Sequence, residues 1–360
     1  MELILFDKSI DMYVEVIGGN SIAKDIVMSG LKNNKLVVTA NKKLVAQNLN
    51  ALNQIIKKYP NFGYEAAVGG GIPIIKSIKR DFNCDNISEI TGILNGTTNY
   101  ILSKMNLEGV SFSECLLQAQ KLGYAEADPT ADVEGEDVAN KLIILAYLGF
   151  DQIFEIDKLY TQGISSIGLV DLKYAKLLNG TIKMLGHVKL VDSQLSLFVS
   201  PTIVSNNNPL TKINGATNMV QVRSENLGYT SYVGEGAGRY PTANSIVSDM
   251  LDLVNYPKKQ KVETDKQYEK NYDFKSSFYI RFTTKDQLGV IERIGYWCKQ
   301  TGISIDSILQ LPEEKVDVNK IKFIITTDKC SISNVNHMVN MIVTEEDFIQ
   351  NDCIIFPILN

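Results

Sequence analysis

Asp137 and Lys141 are an acid and an amine four residues apart, and their types and spacing suit proton transfer. On a helix they share a face. The carboxylate would steady the ammonium, and a lysine partly withdrawn from water is a fit proton donor. Lys141 leads straight into Leu142-Ile143-Ile144-Leu145-Ala146, so it stands at the margin of a core. The simpler alternative is a surface salt bridge of little energetic consequence. The pair closes the stretch 119–141, which carries six carboxylates: Glu126, Asp128, Asp132, Glu134, Glu136 and Asp137. Only two histidines occur, His187 and His337, far apart in sequence. Histidine triads and His-rich metal sites are thereby disfavoured, and proton chemistry falls to lysines and carboxylates.

The elements around this stretch must position it. A helical pattern begins near Ser113 and ends at Gly123. Pro129 disfavours helix at Asp128, so Gly123–Gly135 is expected to be mostly loop. A second helix is expected from Glu136 to Tyr147. Upstream, the β-rich run 12–17, a helix over Ser21–Leu31, a strand over Lys35–Thr39 and a helix over Leu44–Tyr59 alternate as in a parallel α/β sheet. Ligands bind such sheets beyond the carboxyl ends of the strands, here Gly18–Asn20 and Thr39–Lys43. Gly69-Gly70-Gly71 lacks the dinucleotide fingerprint spacing. Glu65 and the carbonyls of 68–72 are hard oxygen ligands suited to a cation; a tight turn into a helix near Pro73 explains the same residues. After a strand at 88–93, Gly96-Thr97-Thr98 opens a helix. Its free N–H groups suit a phosphate, carboxylate or amide, with N-capping by Thr97 or Thr98 as the plainer reading.

Beyond Ile153 a helix is expected at 171–178. Lys183–Asp192 and Leu195–Pro201 read as paired strands, with further strands at Met219–Val222 and Gly228–Tyr232. A glycine-rich turn, Gly234–Gly238, leads to a helix from Pro241 to Val254. The charged, aperiodic run 256–275 reads as a linker. Strands at Ser277–Thr283, Ile303–Gln310, Lys320–Thr327 and Cys353–Ile358, with helices at Leu288–Thr301 and Ser331–Met341, give a βαββαβ tail of the ferredoxin-like type.

Composition limits the function classes. The 360 residues are 44% apolar and 21% charged, as in a globular protein of two or three domains. A net charge of −5 gives no basic excess for nucleic acid. No apolar run reaches membrane-span length, and the N-terminus lacks signal-peptide features. The five cysteines are dispersed, which fits reduced thiols and a cytoplasmic location.

With these residues in hand, the chain resembles homoserine dehydrogenases over nearly its whole length. The signature runs from Ala119 through Gly123, Asp128-Pro129, Asp132, Gly135 and Asp137 to Lys141. Thr39-Ala-Asn-Lys42, Glu65…Val68-Gly-Gly-Gly-Ile-Pro73, Leu94-Asn-Gly-Thr97 and Gly234-x-Gly-x-Gly238 agree as well. The resemblance implies reversible reduction of L-aspartate 4-semialdehyde to L-homoserine with NADPH or NADH, in threonine, methionine and isoleucine biosynthesis. It implies Lys141 as proton donor, Asp137 as its carboxylate partner, and Lys42 near both cofactor and substrate. Glu126 would take the substrate amino group, with Asp132, Tyr124 and Thr97 in the same pocket. Thr39, Asn41, Lys42, Gly96, Gly236 and Gly238 would face the cofactor. Glu65 with the carbonyls of Val68, Gly70 and Ile72 would bind Na+.

The implied fold is α/β and α+β. A truncated Rossmann-type parallel sheet, 1–62, is completed by 237–256. A mixed-sheet catalytic and dimerisation domain spans 63–236, followed by a linker at 257–275 and a ferredoxin-like ACT domain at 276–360. The implied partners are a small-molecule substrate, a second copy in a homodimer or larger homo-oligomer, and an amino-acid effector at the ACT loop Asp286-Gln-Leu-Gly289-Val. Neither nucleic acid nor membrane is expected. Two departures stand out. The family's first strand–glycine-turn–helix unit has no counterpart in the chain, and Leu288 replaces the proline usual before the effector-loop glycine. The competing expectation is a non-catalytic fragment that dimerises and binds an amino acid.

Overall fold

A computed structural model describes residues 6–57, 60–255, 268–311, 315–317, 320–345 and 353–359. Met12–Glu15 (β1), Leu36–Thr39 (β2) and Phe62–Gly63 (β3) form a parallel sheet in the order β1-β2-β3. Val37, Val38 and Thr39 are all buried, as expected of a strand covered on both faces. Helix Ser21–Lys32 buries Ala23, Val27 and Leu31 at i, i+4 and i+8. The continuous helix expected over Leu44–Tyr59 is instead two, Lys42–Gln47 and Leu49–Ile56. Asn48 is the cause: its side-chain amide donates to Asn20 Oδ1 (2.9 Å) and to the Leu44 carbonyl (2.8 Å). Such local bonds compete with the helical ladder.

The remaining strands are Ile87–Ile93 (β4), Tyr160–Thr161 (β5), Gly180–Val191 (β6), Gln194–Ser205 (β7), Thr217–Ser224 (β8), Gly228–Glu235 (β9), Glu269–Asn271 (β10), Lys275–Lys285 (β11), Ile305–Leu309 (β12), Lys315–Asp317 (β13), Lys320–Thr327 (β14), Cys330–Ser331 (β15) and Ile354–Leu359 (β16). They form one sheet in the order β12-β14-β11-β16-β7-β6-β4-β8-β9, with β5, β10, β13 and β15 as short additions. The β6–β7 hairpin is closed by Asp192 (φ 48°) and Ser193 (φ 65°), the paired positive φ values of a two-residue turn matched to strand twist.

Within the tail, β11, β12, β14 and β16 pair antiparallel in the order 2-3-1-4. Helices Val290–Gln300 and Ile332–Glu345 cover one face, burying Val290, Ile294, Val335, Met338 and Ile342 on Phe278, Ile280 and Phe282. β16 also runs parallel to β7, with Ile358 opposite Ile203. The tail and the central strands are therefore one hydrogen-bonded sheet. Of the expected linker, 256–267 lies outside the described residues. The rest is not free chain, because β10 pairs in register with β7. Helix Arg239–Asn255 packs back on β2 and β3. Among the described residues no helix is long and apolar enough to cross a membrane.

The face of β11 turned from its helices makes a buried polar joint. Asp171, on helix Leu169–Leu177, is fully buried and accepts from the Tyr279 hydroxyl (2.7 Å) and the Gly168 N–H (2.8 Å). Arg281 Nε lies 3.4 Å from the same carboxylate. Removing one partner of a buried pair strands the other charge, at a cost of about 3–5 kcal/mol. Arg281→Met is therefore expected to lower unfolding stability by about that amount, read as a reduced denaturant midpoint. An unchanged midpoint would mean that Tyr279 and Gly168 alone satisfy Asp171.

Candidate active site

Helix Glu136–Phe150 carries the acid–lysine pair, and every residue from Asp137 to Tyr147 is buried. Gly135, at φ 89°, lets the helix begin pressed against the sheet, since a Cβ there would meet Met184 Cε at 2.8 Å. Asp137 sits in the first turn, where free helix N–H groups favour an anion.

Lys141 Nζ donates to Asp137 Oδ2 and to the Leu94 carbonyl, each at 2.7 Å. An ammonium has a third hydrogen, which remains for a ligand. Asp137 Oδ2 also accepts from Asn95 Nδ2 at 2.9 Å, and Lys42 pairs with Oδ1. Asn95 Nδ2 reaches Asp132 Oδ1 as well, at 2.7 Å. One amide thus bridges two carboxylates. Its own oxygen accepts from the Thr98 N–H (2.8 Å), so Asn95 caps helix Gly96–Glu108. The cap is neither Thr97 nor Thr98, while the helix opens at Gly96 as expected. Thr97 Oγ1 instead donates to the Tyr124 carbonyl at 2.5 Å. The Tyr124 ring is half-exposed and packs at a tilt against Tyr100.

The electrostatics follow from this packing. Burial would raise the Asp137 pKa, but Lys141 and Lys42 outweigh it and hold the carboxyl far below the usual range. Burial lowers Lys141, Lys42 adds to that, and Asp137 opposes it. For Lys42 the burial effect is overcome by Asp137, Asp132 and Glu126, and its affinity for a proton rises. Asp132 is raised by burial and by the charge on Asp137. Glu126 lies on the exposed loop, near enough for its charge to act on Lys42.

Thr39 and Asn41 are spent locally. Thr39 Oγ1 donates to Glu15 Oε2 (2.6 Å) and accepts from the Asn41 N–H (2.9 Å). Asn41 accepts from the Leu44 N–H (3.0 Å) and donates to the Gly19 carbonyl (2.7 Å). Together they fix the exit from β2, and so place Lys42 on Asp137. The glycines serve close backbone approach. A Cβ on Gly96 would lie 2.7 Å from the Ala216 carbonyl, one on Gly70 2.5 Å from Gly236 C, and one on Gly236 1.9 Å from Asn218 Nδ2. Gly238 has φ 118°.

At the turn expected to hold a cation, three of the four expected residues already accept protein hydrogen bonds. Glu65 Oε1 and Oε2 accept from the Ile75 and Lys76 N–H groups, each at 2.8 Å, capping helix Ile74–Arg80. Gly70 O accepts from Ser245 Oγ (2.6 Å), and Ile72 O from the Ile74 N–H (2.8 Å). Burial pushes Glu65 up to about 7. Among the described residues, no three His, Cys, Asp or Glu side chains are grouped to hold a metal.

Sequence reasoning gave no role to Asn95, Glu15 or Asn218. Asn95 stood inside a quoted motif, and Glu15 was marked by its place in an apolar strand; Asn218 carried no local signal. A cavity of about 460 Å³ beside Ser88, Lys189, Arg223 and Tyr268 lies at the opposite end of β4 from Leu94, away from these groups.

The buried acid–lysine pair, met by Lys42 from the carboxyl end of a parallel strand, is equipped for proton transfer, and comparison with known proteins assigns the class, an oxidoreductase of the dehydrogenase type. The homoserine dehydrogenase family model matches residues 73–251. Homoserine dehydrogenase of Pseudomonas aeruginosa is 38% identical over 346 residues, covering 92% of this chain and 79% of that protein. The crystal structure of a homoserine dehydrogenase from Thiobacillus denitrificans superposes with a TM-score of 0.89 at 33% identity, over 99% of this chain and 84% of that one. A hyperthermophilic archaeal homoserine dehydrogenase in complex with NADPH superposes with a TM-score of 0.61 at 26% identity, over 71% of this chain and 75% of that one. The chain belongs to the homoserine dehydrogenase family.

Asp137 opposes the lowering of Lys141. Asp137→Asn therefore leaves Lys141 beside Lys42 without the intervening anion. The alkaline limb of the pH–rate profile is expected to move to lower pH, with a fall in turnover. An unmoved limb would separate Lys141 from the titration that limits the rate.

Proposed function

We propose that this chain interconverts L-aspartate 4-semialdehyde and L-homoserine with NADPH or NADH, at the cleft between Lys42, Glu126, Asp132 and Lys141. The observation that carries the reading is Lys141: a buried ammonium with two hydrogens fixed on Asp137 and Leu94 and one to spare.

The residues at hand suit the cofactor. Thr39, Asn41 and Lys42 stand at the carboxyl end of β2, where nucleotides bind such sheets. Gly96, Gly236 and Gly238 leave no side chain in the way, and the Asn218 amide beside Gly236 has unmet hydrogen-bonding capacity. The bound dihydronicotinamide supplies the hydride, and the protein supplies position and charge.

As the aldehyde carbon accepts hydride, negative charge grows on its oxygen. Lys141 stabilises that charge and then gives the oxygen a proton, leaving a hydroxyl and a neutral amine that regains its proton from solvent. Burial and Lys42 lower the cost of that release, while Asp137 keeps the amine charged beforehand and fixes its direction. Glu126 offers a carboxylate to the substrate ammonium, with Asp132 held beside it by Asn95. Lys42 brings a second positive charge to the cleft. Thr97 and Tyr124 tie the helix start to the acidic loop and so shape the pocket wall. Glu65 with the carbonyls of Val68, Gly70 and Ile72 is the oxygen set that would hold Na+ in this reading, and no step is routed through an ion.

The same reading includes a cytoplasmic enzyme that self-associates and an amino-acid effector at the tail. Gly289 there starts a helix with φ 89°, beside a fully exposed Leu288. Lys141→Ala is expected to lower turnover by about 10²–10⁴-fold, the usual scale for a positioned acid, with NADPH oxidation followed at saturating aldehyde. Near-normal turnover would remove Lys141 from the reaction.

A further inference from the structure

Asn218, the second residue of β8, is 1% exposed. Neither its Oδ1 nor its Nδ2 has a hydrogen-bond partner among the described residues, and no other described side chain leaves two buried atoms unmet. Buried amides are almost always satisfied, and an orphaned pair is costly. A fold that keeps one is holding it for something.

Its place is informative. β4 and β8 are antiparallel, with Ile93 opposite Met219. One step further along come Leu94, whose carbonyl receives Lys141, and Asn218. Strand alternation puts Asn218 on the face of Val220 and Val222, which belong to the core shared with helix Glu136–Phe150. Asn218 is opposite Gly234 in β9, and its amide lies against Gly236, where a Cβ would fall 1.9 Å from Nδ2. A turn with glycines at 234, 236 and 238 therefore covers an amide that has nothing to bond to.

The matching ligand group offers a donor and an acceptor side by side in one plane. Carboxylates and phosphates only accept, and ammonium groups only donate. A primary carboxamide does both. The adenine edge carries the same pair but sits at the far end of a dinucleotide from the reacting carbon. The nicotinamide carboxamide is attached next to that carbon, and hydride transfer brings it within a few ångströms of the aldehyde held by Lys141.

We propose that Asn218 receives the carboxamide of the nicotinamide ring, with the Gly234–Gly238 turn shifting off the amide as the ring enters. This rests on the dehydrogenase reading above. It makes Asn218 a residue that selects the cofactor's reactive end, at the expense of stability in the unliganded fold.

The test compares binding of NADPH with that of its reduced 3-acetylpyridine analogue, which lacks the amide N–H₂, by calorimetry, alongside thermal melting. The unaltered chain is expected to prefer NADPH by about 10-fold, the worth of one good polar contact. Asn218→Leu is expected to erase the preference and to raise Tm, because the orphaned groups are gone. Asn218→Val, a second apolar change that also removes the acceptor Oδ1, is expected to lose the preference too, and it serves if the leucine variant fails to fold. A preference retained in the variants overturns the proposal. So does a lower Tm in Asn218→Leu with discrimination unchanged, the signature of an amide satisfied by internal water. If all forms bind NADPH equally, the role of Asn218 fails while the dehydrogenase reading stands; if the unaltered chain binds neither nucleotide, both fall.

Discussion

One carboxylate is the meeting point of this structure. Asp137 is almost fully buried, and a charge so placed is tolerable only with close partners. Those partners come from three places in the sequence: Lys42 just after β2, Asn95 just after β4, and Lys141 one turn along its own helix. The parallel sheet, the central sheet and helix Glu136–Phe150 must all be in register before Asp137 is satisfied. The requirement works in both directions, because the same contacts fix Lys42 and Lys141 and leave one ammonium hydrogen unspent.

Much of this was legible in residue order. Spacing alone put Asp137 and Lys141 on one face, and the apolar run after Lys141 announced a buried helix. The alternation of strand and helix up to residue 57 and the six-element rhythm of the tail were readable from period-2 and period-3.6 patterns. What could not be read were bonds made by side chains to groups distant in sequence. Asn48 breaks a helix by reaching Asn20, and Asn95 takes the capping role from its threonine neighbours while bridging two acids. No local propensity encodes those partners. The engaged oxygens around Glu65 are of the same kind, since Ser245 meets Gly70 from far along the chain.

The joining of the tail to the centre was also invisible to pattern. A charged, aperiodic run reads as a tether, yet its later part forms β10 beside β7, and β16 pairs along the same strand. Pairing in parallel across such separations depends on three-dimensional proximity. The Asp171–Arg281–Tyr279 joint adds a directional contact between helix Leu169–Leu177 and β11.

The pairing of Lys42 with Asp137 has one more consequence, because the two side chains belong to different layers. Lys42 lowers the proton affinity of Lys141. The width of the cleft is therefore part of the acid's chemistry. A wider gap withdraws a cation and returns more of the aspartate's field to Lys141, so the proton is held more tightly. A narrower gap loosens it. Layer spacing and acidity are thus tied together through one contact, Lys42 on Asp137.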